Sequence, residues 1–344
     1  MKKEKIFFCL VLSICLLVGS SEVFSQVNVI GSGITGNPAV CFKGISGSQP
    51  FTTEVGSDLK NCGWFDITPQ NTAQYVIDGT YDGSNLQIFV RDPDGSVKVS
   101  FKMPASPDQA NAVSQKAVDF ILKKFFEIPG ICSTKIAFSG ETRAGVKEIF
   151  YCDYDGTNVS RTTPNNTLSV EPEWFPGKLS IIYTMYSKMH TNIIEYDLPS
   201  KRSRRLCQFP GLNSCASISP NGKTMAIILS IDGQVELYIK DVNSKAMRRL
   251  TTGKSVEASP CWSPDGNMIC YVSDTSGRPS LYVISAGGGN PKKLQTIGSE
   301  SVTPSWSHNN KIAYSAKMGR NYTIAVLDLS GKEPQKTIVN ATGD

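Results

Sequence analysis

Apolar and polar residues along the C-terminal two thirds of the chain alternate in short runs, and the runs recur. Trp262 opens "WSPDGNMICYVSD"; 44 residues before it stands "ISPNGKTMAIILS" from Ile218, preceded by "WFPGKLSIIYTMYS" from Trp174, and "WSHNNKIAYSAK" follows from Trp306. Pro176, Pro220, Pro264 and His308 fill one recurring slot, and Leu206, Leu250, Leu294 and Ile338 fill another. One unit reads "PCWS", a turn at Pro264 to Asn267, "MICYVS", a turn at Asp274 to Pro279, "LYVIS", a glycine-rich turn at Ala286 to Asn290, then "KKLQTI". Four short β-rich runs divided by Gly, Pro, Asn and Asp, with no stretch long enough for a helix, predict four antiparallel strands per unit. Proline presets φ at the first corner of a turn and glycine accepts the positive φ that other residues resist.

Repeated four-stranded units of this length are the blades of a β-propeller. Second strands are expected from Lys135, Leu179, Lys223, Asn267 and Lys311; third strands at Ile149 to Asp153, Ile193 to Asp197, Leu237 to Asp241, Leu281 to Ser285 and Ile324 to Asp328. Trp174, Ile218, Trp262 and Trp306 share a position where a large apolar residue packs between blades. About five blades are counted. Asn340 to Asp344 falls where a loop to another inner strand is expected, so the chain reads as C-terminally short.

Residues 26 to 132 lack the repeat. Phe51, Val55 and Leu59 lie one helical turn apart, predicting a helix over Thr52 to Asn61 with Gly63 as its stop. Gln74 to Tyr81, Asn85 to Arg91 and Val97 to Met103 alternate as strands, with Asp82-Gly83 and Asp94-Gly95 as hairpin turns. Ser106 is placed to cap a second helix with Pro107 at its first position, Ala110, Val113, Ala117, Phe120 and Ile121 on its buried face, and Pro129-Gly130 at its end. The expected organisation is residues 1–25 as a signal peptide, 26–132 as an α/β domain and 133–344 as an all-β propeller.

A basic start (Met1 to Lys5), the apolar run Ile6 to Val18 and Val23-Phe24-Ser25 form an export signal cut after Ser25. The run is shorter than the ~20 residues that span a bilayer. Composition is that of a globular protein, 40% hydrophobic and 19% charged, with net charge +5. Removing the leader's three lysines and two glutamates leaves +4, too little to argue for nucleic acid. Beyond Cys9 and Cys15 of the leader stand Cys41, Cys62, Cys132, Cys152, Cys207, Cys215, Cys261 and Cys270, with no CxxC. Cys261 and Cys270 are centred on the turn at Asp265-Gly266, which puts them opposite each other as a possible disulfide; buried thiols are the alternative.

Catalytic chemistry finds no foothold. GxSxG is absent, so the serine-hydrolase elbow is missing. His190 and His308 are the only histidines, and they fall in loops of different blades that open on opposite faces of the ring, so they share no metal. Asp265 serves its turn, and Gly287-Gly288-Gly289 lacks the Lys-Ser/Thr tail of a phosphate loop. No catalytic residue, metal or cofactor is expected.

The segments "FTTEVGSDLKNCGWFDI", "VIDGTY" and "STKIAFSG", followed by "EPEWFPGK", "ISPNGK", "SPCWSPDGN" and "SDTSGRPSLYVI", resemble the TolB family of periplasmic propeller proteins of the Tol-Pal envelope system. The resemblance implies a non-catalytic adaptor that links a TolA-like inner-membrane protein to a Pal-like peptidoglycan-associated lipoprotein and supports envelope integrity and cell division. Membrane contact would come only through those partners, and nucleic acid is not among them. The TolA-like arm would be Gln26 to Thr35, with Val27, Asn28, Val29 and Ile30 adding as a strand to the partner's sheet or lying as a strand of their own domain. The Pal-like surface would lie at the propeller mouth, on Glu171, Leu212, Asn213, Cys215, Glu257, Ala258 and Ser301, where Glu171 and Glu257 at near-equivalent places would carry negative charge. The family propeller has six blades, so closure by about five is an open point of the resemblance. The alternative reading is the propeller of a hydrolase or lyase, prolyl oligopeptidase-like, whose catalytic part is absent.

Overall fold

The structure, a computed structural model, describes residues 37–126, 130–164, 166–188, 190–329 and 336–339. Contacts divide them into two compact units. One runs up to Lys135 and takes in Cys152–Asn158; the other holds Ile136–Tyr151 and everything from Val159.

In the first unit, strands β1 (Ala39–Ser46), β2 (Asp66–Ile67), β3 (Tyr75–Tyr81), β4 (Asn85–Arg91) and β5 (Val97–Pro104) form one sheet in the order β2-β1-β3-β4-β5. β1 runs parallel to both its neighbours, and β3, β4 and β5 form an antiparallel meander. The meander sits where alternation predicts it, and β4 buries every second residue. The strand β1 carries no such signal. "AVCFKGIS" is broken by Lys43 and by Gly44 at φ +94°, where the register shifts.

Helix α1 (Gln49–Asn61) begins three residues before the expected Thr52. Ser48 is its cap, accepting from the Phe51 N–H, and Pro50 sits in its first turn. Helix α2 (Ala110–Phe126) follows a short 3-10 turn at Pro107–Gln109; the Ser106 hydroxyl, expected to cap it, donates to the Asp108 carboxylate instead. Phe51, Val55 and Leu59 of α1 and Ala117, Val118, Ile121 and Leu122 of α2 are fully buried in one core. Phe120 is only half-buried and packs its ring 4.4 Å from that of Phe101.

The second unit is a five-bladed β-propeller, so the chain combines an N-terminal α/β region with an all-β propeller, the expected fold class. The first blade has three strands among the described residues, β6 (Lys135–Arg143), β7 (Val146–Asp153) and β8 (Ser160–Arg161). The second has β9 (Ser169–Trp174), β10 (Ser180–Tyr186), β11 (Thr191–Asp197) and β12 (Arg202–Cys207), and the third has β13 (Asn213–Ile218), β14 (Thr224–Leu229), β15 (Glu236–Asp241) and β16 (Met247–Arg249). β17 (Glu257–Trp262), β18 (Met268–Ser273), β19 (Ser280–Ser285) and β20 (Lys292–Lys293) make the fourth blade; β21 (Ser301–Trp306), β22 (Lys311–Met318), β23 (Asn321–Asp328) and β24 (Lys336–Val339) make the fifth.

β10, β14 and β18 are buried on both faces because each lies between neighbouring strands and between neighbouring blades. Trp174, Ile218, Trp262 and Trp306 join the apolar clusters between successive blades, as their common slot predicts. The Trp262 indole N–H also donates to Ser217 O at 3.0 Å, tying the fourth blade to the third. At the inner turns, Gly222 and Gly266 take φ near +70°, and in the fifth blade Asn310 takes φ +61° in place of the glycine. Asparagine tolerates that region, so the altered His308-Asn309-Asn310 corner still closes.

Candidate functional site at the mouth of the inner strands

β9, β13, β17 and β21 are the innermost strands, and neighbouring ones contact each other. Each carries the same irregularity. Glu171-Pro172 together face the single residue Tyr183, Cys215-Ala216 face Ile227, Ser259-Pro260 face Tyr271, and Thr303-Pro304 face Tyr314. The first residue of each pair is left-handed, at φ 56°, 50°, 47° and 50°. Two residues opposed by one is a β-bulge, and here it recurs every 44 residues. Proline is accommodated because the innermost strand is a sheet edge, where its missing N–H forfeits no ladder bond. The Pro that follows Glu171, Ser259 and Thr303, in the same slot of three of the four 44-residue units, is the sequence signal that could have disclosed the bulge.

A left-handed non-glycine residue costs about 1–2 kcal/mol, so four in register are held by their surroundings. Glu171 shows how. Its carboxylate accepts from Thr184 Oγ1 at 2.7 Å, from the Cys215 N–H at 2.8 Å and from Cys215 Sγ at 3.0 Å, so it ties one bulge to the next. Burial, with the Glu171 charge beside it, pushes the Cys215 thiol up to about 12, so it stays protonated as a donor. Two residues on, Glu173 accepts from Ser217 Oγ at 2.9 Å and the Ile218 N–H at 3.3 Å. Desolvation raises its carboxyl to about 8 against the lowering effect of both bonds, so it is mostly neutral at pH 7. Glu173 was not among the residues singled out from the sequence.

The residues expected at the mouth fall into two sets. Glu171, Leu212, Cys215 and Ala258 are half-buried, while Asn213, Glu257 and Ser301 are buried. Glu171 and Glu257 are not equivalent: Glu171 aligns with Cys215, Ser259 and Thr303 at the bulge, whereas Glu257 aligns with Ser169, Asn213 and Ser301 two positions earlier. Asn213 holds its own loop, accepting from the Phe209 N–H and donating to Phe209 O, each at 2.8 Å. Glu257 accepts from Ser255 Oγ at 2.7 Å, and burial raises its pKa above the usual carboxylate range. Carboxylates at this rim therefore organise loops and blade contacts, and Glu257 does not present an exposed charge.

Val27, Asn28, Val29 and Ile30 lie outside the described residues. Cys261 and Cys270 are directly opposite in register, as expected, and each is a thiol here. His190 and His308 lie on separate loops of the second and fifth blades, and among the described residues no group of three His, Cys, Asp or Glu is arranged to hold a metal.

The family model of the TolB beta propeller domain matches residues 122–342. The chain belongs to the TolB propeller family. Two curated relatives, each a "Tol-Pal system protein TolB", come from Desulfosudis oleivorans (31% identical over 119 residues, 35% of this chain and 27% of the relative) and Alcanivorax borkumensis (30% over 139 residues, 39% of this chain and 31% of the relative). The matched part thus spans about a third of each relative's length. The crystal structure of TolB from Acinetobacter baumannii superposes with a TM-score of 0.79 at 22% identity, covering 88% of this chain and 82% of that one, which establishes the shared TolB fold.

Proposed function

We propose that the chain is a non-catalytic periplasmic adaptor of a Tol-Pal system, linking a TolA-like inner-membrane protein to a Pal-like peptidoglycan-associated lipoprotein in support of envelope integrity and cell division. Membership of the TolB family supports this reading, and the leader at residues 1–25 supports export. The observation that carries it is the fourfold bulge of the inner strands. It sets Glu171, Cys215, Ser259 and Thr303 in equivalent left-handed positions along the inner strands, with Glu171 bonded to Cys215 of the next strand. A prefixed rim binds a folded partner at low ordering cost. Val27 to Ile30 would supply the TolA-like contact by strand addition.

The test is binding of the purified chain to the Pal-like domain of the same bacterium. Ala258→Arg adds a bulky cation at the rim and is expected to weaken binding at least tenfold in a variant whose circular dichroism shows it still folded, with a lowered melting temperature because Ala258 packs against an interblade cluster. Deleting residues 26–33 should abolish TolA-like binding and leave Pal-like binding intact. Absence of any Pal-like binding by the unaltered chain at about 100 μM, equivalent to less than about 5.5 kcal/mol, would refute the adaptor reading.

A further inference from the structure

Cys261 of β17 and Cys270 of β18 face each other across one rung of the fourth blade. Opposed residues project from the same side of a sheet, and both cysteines join the apolar cluster between the fourth and fifth blades. The Ser263 N–H donates to Met268 O at 2.9 Å in the same register. Hydrogen-bonded rungs alternate with unbonded ones along an antiparallel ladder. The Cys261–Cys270 rung, two further on, is therefore a hydrogen-bonded one, with its Cα atoms about 5.5 Å apart. A disulfide most often spans Cα atoms about 5.5–6 Å apart. Its Cβ atoms lie about 3.5–4.5 Å apart, against about 4.5–5.5 Å for an opposed pair, so a small closing of the strands brings the sulfurs together. The Ser259-Pro260 bulge against Tyr271 interrupts the ladder at the next rung and gives the strands room to close. In the second, third and fifth blades the same rung holds Glu173 opposite Ile182, Ser217 opposite Ala226 and Ser305 opposite Ala313. There a polar residue of the inner strand stands against an apolar one, and Glu173 and Ser217 bond to each other between blades. Among these four blades, the fourth alone places two sulfurs on the rung.

We propose that Cys261 and Cys270 form a cross-strand disulfide in the exported protein, fastening the inner strand of the fourth blade to its neighbour beside the mouth. That it forms in the cell rests on the export reading; that these two residues pair rests on the register. Cys261 is partly exposed, whereas Cys270 is fully buried. Burial, with the Cys261 sulfur beside it, holds the Cys270 thiol well above its ordinary range, so Cys261 starts the exchange. Its thiolate attacks an external disulfide such as oxidised glutathione, giving a mixed disulfide and one glutathione thiol. Cys270 then gives up its proton, and its sulfur displaces the second glutathione from Cys261. Two protons and two electrons leave the protein, and one S–S bond replaces two S–H bonds. The finished bridge keeps one partly exposed sulfur, so external thiols reach it from the Cys261 side.

The full chain is refolded from denaturant in a mixture of oxidised and reduced glutathione, alkylated with N-ethylmaleimide in denaturant, and digested without reduction. The protease is one that cleaves at aspartate, because Asp265 lies between the two cysteines and a bridge then appears as a joined peptide pair. The expected result is a pair joined through Cys261 and Cys270, both of them closed to alkylation. The pair should persist in Cys41→Ser, and Cys261→Ser should lose it and leave Cys270 open to alkylation. Alkylation of both Cys261 and Cys270 in the refolded unaltered chain, or either one joined to a different cysteine, overturns the proposal, whether or not the Cys261→Ser variant folds. Export is read separately, from the N-terminus of the chain recovered from periplasm. A retained leader would sink the adaptor reading and leave the refolding result standing.

Discussion

In the N-terminal unit, Phe51, Val55 and Leu59 of one helix and Ala117, Ile121 and Leu122 of the other meet a single sheet in one core. In the propeller, the described buried residues form four clusters, each shared by two successive blades, with Ile182 and Ile227 in one and Ile228 and Tyr271 in the next. The difference teaches where stability is stored. One core gives one cooperative element, whereas a propeller spreads its burial over repeated interfaces, none of which belongs to a single blade. The ionisable groups follow the same division. Asp58, buried beneath Ser114 and Tyr154, belongs to the N-terminal core, and Glu173 belongs to a contact between blades.

The strongest way to break the comparison is to open each core. Phe51→Ala removes a fully buried ring and should cost about 3–5 kcal/mol, collapsing the N-terminal transition in calorimetry. Ile227→Ala, at a cost of about 2–5 kcal/mol, should lower the propeller transition and leave the N-terminal one in place. A single merged transition that both variants shift equally would show that the two units do not melt separately.

The pH dependence sharpens the contrast. Glu173 rises from 4.5 to about 8 on folding, so the folded chain holds more protons than the unfolded one between those values. Propeller stability should therefore fall as pH rises from about 4.5 to about 8 and level off above, by a few kcal/mol in all. Glu173→Gln, measured by denaturant titration across that window, should flatten the slope. Asp58 rises from 3.8 to about 6, chiefly by desolvation, against the lowering bonds from Ser114 and Tyr154. Its contribution, about 2–3 kcal/mol, is present below pH 4 and lost by about pH 6, so Asp58→Asn should remove a narrower slope from the N-terminal unit alone. A Glu173→Gln profile parallel to that of the unaltered chain would mean that its carboxyl titrates normally.

The smallest effect concerns strain. Ser259 is left-handed at φ 47°, and Ser259→Gly should raise the propeller's stability by up to about 1 kcal/mol. No gain in its melting temperature would mean that the bulge is unstrained.

Much of the propeller was legible because its determinants are local. The period-2 runs, the turn at Asp265-Gly266 and the common slot of Trp174, Trp262 and Trp306 each act within a few residues or through burial on one fixed face. β1 escaped notice because a central strand held by neighbours on both sides tolerates the break at Lys43-Gly44 that local alternation would forbid. At the mouth, the sequence marked the inner-strand loops but not the roles of their residues. Glu171 and Glu257 look interchangeable in the chain, and Glu173 attracts no notice at all.

The sequence by itself determined the propeller's strands, their turns and the 44-residue repeat, since backbone preference and the period of burial are written in neighbouring residues. Tertiary structure alone decided which carboxylate is buried, which bonds the next blade and which keeps its proton. A bulge changes the face on which every later residue of its strand points, and a carboxyl's pKa is set by whatever the adjoining blade places against it.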